Sequence, residues 1–173
     1  MKPIIFSAPM VKAILDGRKT QTRRVIKVDD APENKLPRYE AGDILWVRET
    51  WLKADDGYYY KADIKVPSES ENLRKTYGYK WRPSIFMPRE AARIFLRVTN
   101  VRVERVQEIT VDDCRLEGCC CSDCLQTGPH SPDCKCDTLF YNTWNDINAK
   151  RGYGWDTNPW VWVYEFEKFN KEG

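Results

Sequence analysis

Histidine is nearly missing from this chain: His130 is the only one among 173 residues. It lies inside a cysteine-rich stretch, so catalysis of the Ser/His or Thr/His kind has almost no base to draw on. Long apolar runs are missing too. None approaches the ~20 residues that a membrane helix needs, and no membrane partner is expected. Charge of one sign is not in excess, because the net value of +2 neither points to nucleic acid nor rules it out. No signal-peptide pattern opens the chain, which sets the expectation of a cytoplasmic protein. No internal repeat is visible.

The hydrophobic share of 42% is ordinary for a globular fold. The length suits a single domain over residues 1–173, with insertions at about 53–93 and 119–136. Basic residues crowd the start: Lys2, Lys12, Arg18, Lys19, Arg23, Arg24 and Lys27 face Asp16 alone within residues 1–27. This suggests a positive face.

Lys2 to Phe6 reads as a strand. Ser7 and Pro9 open a short helix with Met10, Val11 and Ile14 as its apolar residues, and Gly17 stops it. Thr20 to Val28 reads as a strand, with Thr22 and Arg24 on one face and Arg23 and Val25 on the other. Residues 29–41 read as a loop. Ile44 to Leu52 reads as one strand, and Asp56-Gly57 as the turn of a hairpin. Residues 66–80 read as a loop or insertion, and Ile94 to Val106 as a long strand or two meeting near Thr99-Asn100. Thr110 caps a short helix that Gly118 ends. Asp137 caps another, with Phe140, Trp144 and Ile147 on one face and Lys150 and Arg151 in its last turn. Trp160 to Phe169 is the last strand. About six strands without a helix between each pair argue against a doubly wound sheet. The expected class is α+β: a small, mostly antiparallel barrel with short flanking helices.

Four segments agree in order with one family. Gly17-Arg18-Lys19-Thr20-Gln21-Thr22-Arg23-Arg24 follows the first helix, then come GDILWVRE from Gly42, RVERVQEITVDDCRLEG from Arg102 and NPWVWVYEFE from Asn158. The chain resembles the ASCH-domain family, which implies a PUA-like β-barrel. Within it, the Gly-Arg-Lys-Thr-x-Thr motif resembles the small bacterial N4-acetylcytidine amidohydrolases. That resemblance implies Lys19, Thr22 and Glu117 as catalytic residues. It also implies an amidohydrolase that cleaves the acyl amide of N4-acetylcytidine or related N4-acylated cytosines. The chain departs from that branch in its length and in the cysteine insert directly after Glu117-Gly118.

The chemistry of amide hydrolysis needs a nucleophile, a proton acceptor and a group that holds the developing oxyanion. Thr22 offers the hydroxyl. Lys19 serves as base if burial and neighbouring cations lower its pKa from about 10.4. If Glu117 is ionised beside it, Lys19 stays charged and becomes an electrostatic clamp, with Glu117 the base. The sequence leaves both assignments open. Each of Lys19→Ala, Thr22→Ala and Glu117→Ala is expected to abolish acetate release while the fold survives. A pyrimidine also needs a stacking surface and polar groups at its ring edge. Arg24, Trp46, Arg48, Trp155 and Asn158 are the substrate-binding candidates. No cofactor is expected for catalysis.

Six of the seven cysteines fall within residues 119–136. Cys121 and Cys124 have the two-residue gap that lets two thiolates reach one tetrahedral zinc, and Cys134 and Cys136 complete four sulfurs. Cys119, Cys120 and His130 are alternates. Four thiolates leave no open position for water, so the zinc expected here is structural. The His-x-Glu signature of zinc deaminases is missing. The competing readings are a PUA-like module that binds RNA or a modified base without chemistry, and an adaptor whose insert contacts another protein. The expected partner is a small modified nucleoside, with RNA the second choice. Oligomeric state is not readable.

Overall fold

The computed structural model describes residues 1–27, 35–66, 68, 72–73, 75–76, 78–127 and 134–170, without the side chains of residues 123 and 127. Five of its seven strands form one sheet, in the order β1 (Lys2–Ile5), β3 (Ile44–Arg48), β6 (Phe95–Arg105), β7 (Trp160–Lys168), β2 (Gln21–Val25). The β1/β3 pair is parallel, and the β3/β6 and β2/β7 pairs are antiparallel. The fold is α+β with a mostly antiparallel sheet. Among the described residues no strand pairing closes a barrel.

The chain divides into two compact units. The first comprises Met1–Asp16, Asp43–Arg97 and Lys168–Gly173. Here α1 (Ala8–Leu15) follows Ser7 with a proline in its first turn, and buries Val11, Ala13 and Ile14. The single strand expected over Ile44 to Leu52 is two. β3 stops at Arg48, and β4 (Trp51–Ala54) pairs instead with β5 (Gly57–Tyr60) across the expected Asp56-Gly57 turn. The break has a physical cause at Glu49. Its backbone N–H is spent on the Met87 sulfur at 3.2 Å, and its carboxylate, 1% exposed, is clasped by Arg93 at 2.9 and 3.1 Å. A buried carboxylate must be paired, and this one bends the chain to meet its cation. Trp51, Met87 and Ala91 form a small core beyond the break, with Tyr58 and Tyr60 against it.

The second unit comprises Gly17–Gly42 and Val98–Glu167. β2 lies on β7 in a register that pairs Thr22 with Tyr164 and Arg24 with Trp162. α2 (Val111–Leu116) begins at a capping box: Thr110 Oγ1 accepts from the Asp113 N–H at 3.1 Å, and the Asp113 carboxylate accepts from the Thr110 N–H at 3.3 Å. Glu117 caps its C-terminus, and Gly118, at φ 88°, ends it as expected.

α3 (Ser122–Thr127) lies within the cysteine insert, where no element was expected. α4 (Cys136–Asn148) starts one residue before the expected cap, so Asp137 sits in its first turn. Its buried stripe is Cys136, Phe140, Trp144 and Asn148, a run of i+4 steps. Ile147 lies off that stripe and is 50% exposed. Asn148 takes the position by donating its side-chain amide to the Trp144 carbonyl at 3.1 Å. Lys150 and Arg151 fall in a separate 3₁₀ turn that Gly152 stops at φ 84°. Much of 29–41 and part of 66–80, both expected to be loops, lie outside the described residues.

Candidate functional site

The site is built on the start of β2. Lys19 and Glu117 pair as an isolated bridge, and the Thr20 N–H donates to the Leu116 carbonyl at 2.8 Å. These bonds fasten the Gly-Arg-Lys-Thr-x-Thr segment to the C-terminal end of α2. The Lys19 side chain is almost fully enclosed, at 2% exposure. Its Nζ donates to Glu117 Oε2 at 2.7 Å, to the Glu117 carbonyl at 2.6 Å and to the Gln21 carbonyl at 2.8 Å. Three acceptors call for three donors, which only the ammonium form supplies. Burial lowers the Lys19 pKa below the ordinary lysine value, while the Glu117 carboxylate pulls it back up. The acceptor geometry favours the charged form.

Glu117 is held from a second side. Arg23 Nη1 donates to its Oε1 at 3.2 Å. The same guanidinium donates through Nε to Glu104 at 2.8 Å and lies 3.2 Å from Asp113 Oδ2. Arg102 continues the chain of charges to Glu104 and Glu165. A carboxylate at the C-terminal end of a helix faces the unfavourable pole of its dipole. Two buried cations offset that here, and Lys19 also caps the Glu117 carbonyl. Burial alone would raise the Asp113 pKa, but the Gln21 amide, Arg23 and Thr110 outweigh it and hold the carboxyl below its ordinary value.

Strand alternation sends Thr22 and Arg24 to the face opposite Arg23. Arg24 Nη1 donates to Thr22 Oγ1 at 2.6 Å and to the Arg23 carbonyl at 2.9 Å. Burial lowers the Arg24 pKa, and the charges of Glu117 and of Lys19 are both felt between these neighbours. The Gln21 carbonyl that Lys19 holds belongs to the peptide bond leading into Thr22, so the ammonium touches the backbone of the candidate nucleophile. The structure thus pairs Lys19 with Glu117 and Arg24 with Thr22, and the Gln21 carbonyl links the first pair to the strand that carries the second.

The other substrate-binding candidates have different surroundings. Trp46 and Arg48 belong to the first unit. There the Arg48 guanidinium stacks 5.3 Å from the Trp46 ring and donates to the Met87 and Ile85 carbonyls. Trp155 packs edge-on against Phe140 and Tyr141. Asn158 is left-handed at φ 41° and spends its side-chain oxygen on the Gln107 N–H at 3.1 Å. Both organise their own loop in the second unit.

The cysteine set is the expected one. The Sγ atoms of Cys121, Cys124, Cys134 and Cys136 all lie within 4.8 Å of one another. Individual separations are 3.4 Å for Cys124–Cys134, 3.7 Å for Cys121–Cys136 and 3.8 Å for Cys124–Cys136. Tetrahedral zinc with bonds of about 2.3 Å sets its sulfurs about 3.8 Å apart, whereas a disulfide needs about 2.05 Å. The geometry fits a metal ion, and the cysteines are free. Backbone N–H groups of Lys135 and Cys124 lower the Cys121 thiol to about 6. The backbone N–H of Cys136 lowers Cys134, while burial raises Cys124 and Cys136. Arg115 of α2 reaches the cluster, with Nη2 3.6 Å from the sulfurs of both Cys124 and Cys134. Cys119 and Cys120 are not part of this group, and His130 lies outside the described residues.

Structural neighbours include an ASCH domain. That structure, from Lactobacillus crispatus, is 11% identical over 92% of this chain and 69% of its own, with a TM-score of 0.45. A protein from Enterococcus faecalis described under the DUF984 family is 12% identical, with a TM-score of 0.47 over 91% of this chain. The chain spans 65% of that protein's length. No family model matches the sequence, and no curated protein does.

Two features of the site were not found in the sequence. One is the carboxylate set Glu104 and Asp113 around Arg23, whose side chain is 1% exposed. The other is a cavity of about 350 Å³ beside Arg24, lined by Tyr39, Trp162 and Tyr164 among others. The register that sets Thr22 and Arg24 opposite Tyr164 and Trp162 is supplied by the fold, and the sequence carried only the alternation that put Thr22 and Arg24 on one face. The Tyr39 and Tyr164 rings meet edge-on at 5.0 Å.

Proposed function

We propose that this chain is an amidohydrolase acting on N4-acetylcytidine or a related N4-acylated cytosine, on a PUA-like fold. The observation that carries the reading is the buried Lys19–Glu117 pair, 2.7 Å apart, bound against the peptide that leads into Thr22. A cation and a carboxylate taken out of water cost several kcal/mol each to desolvate, so such a pair is a weak device for stability and a strong one for chemistry.

In this reading the Thr22 hydroxyl oxygen attacks the acyl carbon. Its proton passes to the Glu117 carboxylate, and the carbonyl electron pair moves onto oxygen, where the Lys19 ammonium balances the charge. Collapse breaks the bond to N4, Glu117 returns the proton to that nitrogen, and cytidine leaves. Water then attacks the acyl–Thr22 ester in the same way, releasing acetate and restoring the hydroxyl. Arg24 donates to the hydroxyl oxygen and steadies its developing negative charge. The three acceptors around Lys19 favour Glu117 over Lys19 as the proton acceptor.

The four cysteines would hold a structural zinc. A full thiolate set leaves that ion no place for substrate or water, so its contribution is to staple the insert to α2. Thiols kept for metal belong to a reducing compartment, in keeping with a cytoplasmic protein.

The basic, aromatic cavity favours a second reading: a module that holds RNA or a modified base without chemistry. Absorbance of N4-acetylcytidine with and without the protein separates the two. Turnover that Thr22→Val abolishes supports the hydrolase. Salt-dependent RNA binding without turnover supports the module.

A further inference from the structure

The four-cysteine group, once it holds a metal, keeps charge that the metal does not remove. Four thiolates around one divalent ion leave a net negative charge. Cys121, Cys124 and Cys136 are buried, and Cys134 is half-buried. A charge taken out of water needs donors or an opposite charge close to it. Backbone groups supply part of this. The Cys121 N–H donates to the Cys136 sulfur at 3.4 Å, and the Lys135 N–H donates to the Cys121 sulfur at 3.5 Å. These are dipoles and bring no positive charge.

The charge comes from α2. Arg115, with 12% of its side chain exposed, sets Nη2 3.6 Å from the sulfurs of both Cys124 and Cys134. Those sulfurs lie 3.4 Å apart, so one guanidinium nitrogen spans the two. Nη1 of the same group pairs with Asp112, whose side chain is 64% exposed. Water screens that outer pair, whereas the contact with the sulfurs lies on the buried side. Arg115 also closes the end of the helix, since its carbonyl accepts from the Gly118 N–H at 2.8 Å. Glu117, two residues on, is the C-cap whose carboxylate and carbonyl Lys19 grips.

We infer that Arg115 is the cation that balances the four-cysteine centre, and that its grip on two of the sulfurs fixes the helix turn that presents Glu117. The inference rests on the reading of the cysteines as a metal centre and is independent of the hydrolase reading. A guanidinium that donates to two thiolates weakens their mutual repulsion and makes release of the metal costlier. Arg115 is thus a positioning residue twice over, for the sulfurs on one side and for the C-terminal turn of α2 on the other.

The test uses the full chain, loaded with zinc or, as a spectroscopic probe, with cobalt(II). Donation to a thiolate draws electron density from sulfur and raises the energy of thiolate-to-cobalt charge transfer. Arg115→Met keeps the length of the side chain and removes its charge and donors. In that variant the charge-transfer band should move to lower energy. Transfer of zinc to a competing chelator should become at least about ten-fold faster. Amide exchange over residues 111–118 should rise with zinc still bound, because the turn has lost its anchor. Thermal melting checks that the variant is folded. Should Arg115→Met not fold, Arg115→Lys is measured in the same way, and it should show smaller changes of the same sign. A band at the wild-type position, wild-type zinc retention or unchanged exchange overturns the inference. Wild-type protein that takes up neither zinc nor cobalt removes the metal reading and this inference with it. Uptake by wild type with no effect of the substitution removes this inference alone.

Discussion

At the scale of single residues, the site is defined by how completely Lys19 and Glu117 satisfy each other. Glu117 answers Lys19 and Arg23 at once. Glu117→Ala would therefore leave two buried cations short of a counter-charge, and it should cost about 3–5 kcal/mol of stability, read by urea unfolding. This amends the expectation that alanine at Glu117 spares the fold. Glu117→Gln, which keeps the shape, should cost less and still lower acetate release by about 10²–10⁴-fold. A glutamine variant with full activity would remove Glu117 from the chemistry. Asp113 carries a pH signature. Its carboxyl is held below its ordinary value, so its contribution to stability is complete above about pH 3.9 and is lost as pH falls through the depressed folded value. Melting temperature against pH should therefore fall more steeply in acid for wild type than for Asp113→Asn. Parallel acid limbs would contradict the pairing.

At the scale of elements, α2 joins two otherwise separate features. Its C-cap is Glu117, and its Arg115 reaches the sulfurs of Cys124 and Cys134. Purified protein should contain stoichiometric zinc. Chelation should lower the melting temperature and slow acetate release together, and added zinc should restore both. Protein without metal that melts no earlier after chelation would contradict the centre. Several of these elements were legible in sequence for local reasons. Thr110 reads as a helix cap, Cys121-x-x-Cys124 spells a ligand pair, and alternation alone put Thr22 with Arg24. The break at Glu49 was not legible, because ILWVRETWL alternates without a turn residue and only a distant partner, Arg93, bends it. Ile147 misled for a similar reason. Periodicity allowed it on the buried face of α4, and a side-chain amide bond gave the place to Asn148.

At the scale of the whole molecule, what the sequence hid was long-range. The cavity draws Arg24 from β2, Tyr39 from a loop and Tyr164 from a strand more than a hundred residues away. No window of local pattern joins them. The α+β class and the antiparallel character were legible, because both follow from strand spacing without intervening helices. The account's central claim is that Lys19, Glu117 and Thr22 cleave an acylated exocyclic nitrogen. Its most direct test is the release of acetate from N4-acetylcytidine and its 5′-monophosphate by wild type and by Thr22→Val, with both proteins shown to be folded. The account predicts turnover by wild type and a loss of at least about 10²-fold in the valine variant. No turnover of either compound by wild type, or undiminished turnover by the variant, would contradict it.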